Sequence, residues 1–305
     1  MTRLIPNNIE KEKKVLYIVG NGFDIAHGLP TSYECFHQWL LDNGHKSFVR
    51  DFENLYPDVR DGCDCWCDLE SALGKISLKH AAEYDLYHQE CPDEIREENS
   101  SYDAYCCGDN LKNVIYVLPH LLREWVSSIS AKDILPVFEL CNDACYLSFN
   151  YTKTLEDIYK IKDSNILHIH ETVIHNRPLV VGCGEALFDE DYDYTTERDD
   201  VDLQIIRNIL SHGKKPVEAI LEEPKPKKWF DNLSDVSSVI VFGHSCSKVD
   251  KPYFETVAKF IQKDAYWLFY VHDNAKNKTI EAFAKSIMKY QQKFVIKISK
   301  EQWKK

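Results

Sequence analysis

The segment Val15–Pro30 constrains this chain more than any other. VLYIV (Val15–Val19) is a short apolar run between the charged Lys11–Lys14 and Gly20, a pattern that suits a strand buried on both faces. Gly20-Asn21-Gly22-Phe23-Asp24 and His27-Gly28-Leu29-Pro30 follow it and predict a glycine turn leading into a helix. A glycine at a strand's end permits a tight turn, and a second lets backbone amides approach a pyrophosphate. The helix that follows offers free N–H groups and a favourable dipole. The segment therefore reads as a phosphate cradle for a nucleotide, with a purely structural turn as the rival. Asp24 is placed either to contact a ribose hydroxyl or to cap the helix.

Further apolar runs recur along the chain: Cys145–Phe149, Ile166–Ile169, Leu179–Val181, Val239–Phe242, Tyr266–Val271 and Phe294–Ile298. Helical patterns at Leu155–Ile161, Val201–Leu210, Tyr253–Gln262 and Ile280–Tyr290 separate several of them. Strands alternating with helices predict βαβ units in an α/β fold with a Rossmann-like, mainly parallel sheet. The stretch from about 33 to 140 differs. Apolar residues there recur at helical spacing, as in Trp66, Leu69, Leu73, Ile76 and in Val117, Leu121, Leu122, Trp125. It reads as a large helical insertion or cap after the first strand, inside a single α/β nucleotide-binding domain spanning 1–305. The acidic Asp189–Asp202 reads as a loop.

Composition narrows the function classes. A net charge of -12 argues against an extended nucleic-acid surface, which needs clustered Lys and Arg. The compact basic run Lys225–Lys228 reads as a solvated loop. No run approaches the roughly 20 apolar residues of a membrane span, and the N-terminal residues lack the apolar core of a secretory signal. A cytoplasmic protein is expected, and its eleven cysteines are expected to be reduced thiols. Cys63, Cys65 and Cys67 lack the C-x2-C spacing and fourth ligand of a zinc site, and Cys106–Cys107 is equally unconvincing. No metal is expected.

Three more constellations carry candidate chemistry. Asn150, within Ser148–Thr152, follows a predicted strand at the end where open α/β sheets bind ligands. It could orient a water or a sugar hydroxyl, or serve as a turn residue. His168 and His170 share a face of a predicted strand, where they could act together. His168 is equally suited to packing in the sheet, whereas His170 at the strand end suits a general base near neutral pH. Gly243-His244-Ser245-Cys246-Ser247 forms a second glycine turn after a strand and would present backbone and hydroxyl donors to the same crevice. The alternative is a capping loop in which Ser247 or Asp250 serves the next helix.

Taken together, Gly20–Tyr33, WCDLESALG (Trp66–Gly74), Ser148–Glu156, Ile166–His170 and Gly243–Phe254 resemble the AbiH family of bacterial abortive-infection proteins. The blocks are also similar to a distant sirtuin-like pattern. Gly20 and Gly28-Leu29-Pro30 match the spacing of its first motif. Asn150 falls on the asparagine that works beside the ribose, and His170 on the catalytic histidine. Glu171 stands where that pattern has glycine, and the C-x2-C zinc pairs of protein deacylases are missing, which argues against deacylation.

The resemblance implies an antiphage effector that hydrolyses the glycosidic bond of NAD, with NAD as substrate or ligand. Asn150 and His170 would be catalytic, and Gly20, Asn21, Gly22, Phe23, Asp24, Gly28, Gly243, His244 and Ser245 would bind the nucleotide. A phage-derived trigger and an oligomeric state are compatible with this reading. Its rivals are a nucleotide-binding sensor without hydrolysis and, more remotely, a metal-dependent nuclease-type toxin built on His168 and His170.

Overall fold

A computed structural model describes residues 2–3, 14–55, 66, 68–75, 109–175, 177–184, 197–271 and 277–298. The thiols Cys63, Cys65, Cys67, Cys106 and Cys107, and most of the acidic segment from Asp189, lie outside the described residues. The chain divides into two compact units. One comprises Met1–Ser32, Val126–Leu179 and Pro216–Lys305, and the other Tyr33–Trp125 and Val180–Lys215.

The first unit is built on six parallel strands: β2 (Lys14–Val19), β4 (Cys145–Ser148), β5 (Ile166–His168), β6 (Val236–Phe242), β7 (Tyr266–Val271) and β8 (Lys293–Ile298). Their order across the sheet is β5-β4-β2-β6-β7-β8. Renumbered along the sheet's own sequence, that is 3-2-1-4-5-6, the order of dinucleotide-binding Rossmann sheets. The α/β, Rossmann-like expectation is met. Parallel strands need crossovers of a dozen or more residues, and helices such as Lys251–Phe260 and Asn277–Ile287 supply them. A separate two-stranded pair joins β1 (Thr2–Arg3) to β3 (Phe138–Glu139).

Six of the seven apolar runs became strands because a sheet covered on both faces needs apolar side chains on both. Val15–Val19 and Val239–Phe242 are buried throughout. At the edge, β8 relaxes this requirement, and Val295 is 40% exposed. Below the strand ends, Tyr17 stacks on Tyr146 with ring centroids 5.0 Å apart, and Tyr146 donates its hydroxyl to the Cys141 carbonyl at 2.7 Å. Burying a side chain of this size contributes roughly 1.5–3 kcal/mol.

Leu179–Val181 is a correction: it forms no strand, and the nearest pairing is an isolated parallel bridge between Cys183 and Lys214. Three apolar residues are too short a signal to separate a strand from a packed loop. Lys225–Lys228 also differs from expectation. It belongs to the helix Pro224–Asp231, with Pro at its start and Pro226 and Phe230 buried, while the lysines stay solvated.

The second unit holds the helices Tyr33–Asp42, Lys46–Asn54, Leu69–Leu73 and Glu197–His212 and most of Asp109–Ser128. Phe36 packs against Trp66 and Trp125, and Trp66 against Phe52. Asp68 caps its helix by accepting from the Ser71 amide at 3.1 Å. The Lys215 ammonium is fully buried and paired with Glu70 at 2.8 Å.

Candidate functional site

Strands β4, β2 and β6 are neighbours, so the loops leaving their carboxyl ends converge. Gly20 donates its amide to Phe242 O at 3.1 Å, and Gly22 donates to Gly243 O at 2.8 Å. The two glycine turns are therefore in backbone contact. A β-carbon on Gly20 would lie 2.7 Å from His244 Cα, and one on Gly243 would lie 2.3 Å from the Phe23 nitrogen. Gly243 also has a φ of +69°. Glycine is required at both positions by this close approach, whatever the turns bind. The Phe23 amide donates to Gly20 O, so the amides of Gly22 and Phe23 are both engaged within the protein. Asn21 is exposed and its side chain donates to Thr31 O at 2.7 Å. Ser245 is exposed.

Gly28 differs from the other two. Its φ is +76° and nothing lies within 4 Å of a β-carbon there. It serves the left-handed turn that ends the helix Asn21–Ala26. The position of that helix is fixed by His27, whose Nδ1 lies 2.7 Å from Phe23 O and whose Nε2 lies 2.7 Å from the Tyr159 hydroxyl. A carbonyl only accepts, so Nδ1 carries the proton. The Tyr159 oxygen accepts from the amides of Val137 and Phe138 at 3.2 and 3.1 Å and donates its own proton to Nε2 of the neutral ring.

Inside the crevice, Asp24 is 1% exposed. It does not cap its helix; the N-cap is Gly20, with no side-chain cap bond. Thr152 donates to Asp24 Oδ2 at 2.6 Å. That uses its only proton, so Thr154 must be the donor in the 3.1 Å contact between the two threonine hydroxyls. Desolvation pushes the Asp24 carboxyl up to about 6, opposed by the Thr152 and Thr154 hydroxyls, the Asn150 side chain and the nearby His168. Its Oδ1 accepts no hydrogen bond among the described residues, and neither does Oδ1 of Asn150, which is 6% exposed. A buried acceptor left unmet costs about 1–3 kcal/mol, so two in one place mark a spot that wants a donor.

His168 sits beside this pair. Its Nε2 lies 2.7 Å from Glu156 Oε1, and its Nδ1 lies 3.4 Å from Asn150 O. Both ring nitrogens face acceptors; a charged ring donates to both, a neutral one only to one.

His170 is 3% exposed and is enclosed by Phe149 and Tyr253, with ring centroids 5.1 and 5.6 Å away. Its Nε2 lies 3.6 Å from Asp250 Oδ1, and Nε2 of His244 lies 3.5 Å from Asp250 Oδ2. Ser247 donates to the same Oδ2 at 3.1 Å. Asp250 occupies the N-cap position of the helix Lys251–Phe260 but makes no side-chain cap bond; its carboxylate serves the histidines. Glu171, next to His170, has a φ of +64°, a region that favours glycine.

Glu156, Thr152 and Thr154 were not candidates in the sequence, and Asp250 was read there only as a possible helix cap. The available signal was weak: each lies beyond a strand's carboxyl end, Thr152 and Thr154 soon after Ser148 and Glu156 and Asp250 about two helical turns of sequence further along, where side chains from different strands meet. Among the described residues, no group of three or more His, Cys, Asp or Glu is arranged to hold a metal ion, and no helix is long and apolar enough to cross a membrane.

The family model for bacteriophage abortive infection AbiH matches residues 16–271. The chain belongs to that family. The match runs from within β2 to the end of β7 and so includes every candidate residue named above. No curated protein and no solved structure matches the chain. The AbiH assignment gives a role in bacteriophage abortive infection.

Proposed function

We propose that this AbiH protein acts in phage defence by hydrolysing the glycosidic bond between nicotinamide and ribose in NAD. The observation that carries the reading is the pair of buried, unmet acceptors, Asp24 Oδ1 and Asn150 Oδ1, beside the point where the strand order reverses. Open α/β sheets bind ligands at that point. Two acceptors without donors call for hydroxyls or a water, not for a phosphate, and a ribose supplies hydroxyls.

In this reading the nicotinamide leaves with the electron pair of its bond to the ribose C1′. A water oxygen bonds to C1′ and gives up a proton, and the products are nicotinamide, ADP-ribose and a proton. Asn150 and Asp24 orient the ribose hydroxyls or that water. A carboxyl titrating near 6 can hold or accept a proton at cellular pH. The positive charge that develops on the ribose is favoured by fixed acceptors in a dry crevice. His170 is the general base, supported by Asp250, and the exposed edges of the turns Gly20–Gly28 and Gly243–Ser245 flank the pyrophosphate.

A sensor that binds the nucleotide without cleaving it is the second reading. The enclosure of His170 by Phe149 and Tyr253 favours it, because a general base must reach its proton. Incubation of the purified protein with NAD, NADP and ATP, with products identified by mass, separates the two. Release of nicotinamide supports hydrolysis. Saturable binding with unchanged nucleotide, indifferent to His170→Ala, supports the sensor.

A further inference from the structure

His244 Nδ1 accepts a hydrogen bond from the Cys246 amide at 2.9 Å. A ring nitrogen that accepts carries no proton, so His244 is neutral with its proton on Nε2, the atom facing Asp250 Oδ2 at 3.5 Å. That contact is longer than a hydrogen bond, but its sense is fixed: the protonated nitrogen faces the carboxylate. The bond to Cys246 in turn holds an unfavourable backbone, since Cys246 has a φ of +55°, where a residue with a β-carbon is strained by roughly 1–2 kcal/mol.

Besides the direct bond from Ser247 to Asp250, the Gly243–Ser247 turn has these two ties. Gly243 O accepts from Gly22, and His244 Nδ1 holds Cys246. Asp250 stands behind the second tie, and its other oxygen faces His170 in the turn after β5. Around the cluster stand also the Ser247 hydroxyl on Oδ2, the Cys246 thiol, which burial and the Asp250 charge push well above its ordinary value, the Tyr253 and Phe149 rings against His170, and the Phe149 and Phe254 rings against His244.

We infer that Asp250 is a positioning residue: through His244 it fixes the tautomer that holds the Gly243–Ser247 turn in its shape, and through its second oxygen it orients His170. Its role in orienting His170 as base rests on the NAD-hydrolase reading. Its role in shaping the turn does not. One carboxylate therefore joins the ends of β5 and β6 to the loop that borders the crevice.

The test uses the full chain without nucleotide. Nitrogen-15 labelled histidine reports each ring's tautomer, and amide hydrogen exchange reports the Cys246 bond. The wild type is expected to show His244 as a single neutral Nε2–H tautomer. Asp250→Asn, which keeps shape but removes charge, is expected to mix the His244 tautomers and to speed Cys246 exchange roughly fivefold, the factor for about one lost hydrogen bond. Unchanged nitrogen shifts and unchanged exchange in Asp250→Asn would overturn the inference.

Should that variant not fold, His244→Asn and His244→Ala replace it. The Asn carbonyl can stand in for Nδ1 and keep the Cys246 amide protected, whereas Ala cannot. Equal exchange in the two would overturn the tie. If NAD is cleaved, Asp250→Asn is also expected to move the acid limb of the pH–rate profile. If NAD is never cleaved while the tautomer and exchange results hold, the hydrolase reading fails and the turn lock stands.

Discussion

Thr152 donates its hydroxyl to Asp24 Oδ2 across 2.6 Å, between residues 128 positions apart in the chain. β2 and β4 are paired in parallel with Val19 opposite Ser148, so the residues that follow each strand emerge side by side. The contact compensates part of the cost of burying a carboxylate, and the other oxygen stays buried without a hydrogen bond among the described residues.

Asp24 makes stability depend on pH. Its carboxyl is raised from 3.8 to about 6 in the folded chain, so the folded state holds the proton more tightly than the unfolded state. The benefit is full below 3.8 and is lost as pH rises through about 6. The change is on the order of 3 kcal/mol, because each tenfold difference in proton affinity is worth about 1.4 kcal/mol. Asp24→Asn is expected to flatten urea-denaturation stability across that window. An unchanged slope against pH would contradict the buried, desolvated carboxyl.

The glycines are expected to separate by mechanism. Gly243→Ala meets backbone at 2.3 Å from a positive φ and should cost about 3 kcal/mol or more, combining overpacking with left-handed strain. Gly28→Ala, with open space around it, should cost only the conformational part, roughly 1–2 kcal/mol. Thermal and urea midpoints of the two variants measure the difference.

Glu171→Gly removes the strain of a φ of +64° and also deletes contacts to His175 at 3.1 Å and Arg177 at 3.3 Å. Arg177 is exposed and His175 half-buried, and ion pairs this close to solvent are worth little. The variant is expected to be as stable as the wild type or more stable by up to about 1 kcal/mol. A clear loss in urea denaturation would show that the Glu171 carboxylate matters more than its backbone.

Tyr159→Phe strands His27 Nε2 and the amides of Val137 and Phe138, which share the tyrosine oxygen. The expected loss is about 2–3 kcal/mol, accompanied by faster exchange of those two amides. No loss would mean that water replaces the hydroxyl.

The contrast between Gly20 and Asp250 shows how far the sequence could be read. The long apolar runs and helical periods made the parallel sheet legible, and Gly20, Gly28, Asn150, His168 and His170 stood out by their place after strands. The 3-2-1-4-5-6 strand order was not legible, because no local pattern says which strand lies beside β2. Without that order, Gly20 and Gly243 looked like two ligand-binding turns on one crevice, whereas each is a glycine chiefly because the other turn touches it. Asp250 looked like a helix cap, and only the meeting of β5 and β6 loops reveals the two histidines it serves. Asp24 was ambiguous for the same reason: its partner Thr152 comes from another strand.

The most direct measurement of the central claim is mass analysis of NAD incubated with purified protein, alone and with a phage lysate, for the wild type, Asn150→Ala and His170→Ala. Equal release of nicotinamide and ADP-ribose by the wild type is expected. Asn150→Ala should abolish it together with phage protection, and His170→Ala should slow it by about a hundredfold or more, as loss of a general base does. Intact NAD under both conditions, with Asn150→Ala retaining full defence, would contradict the account.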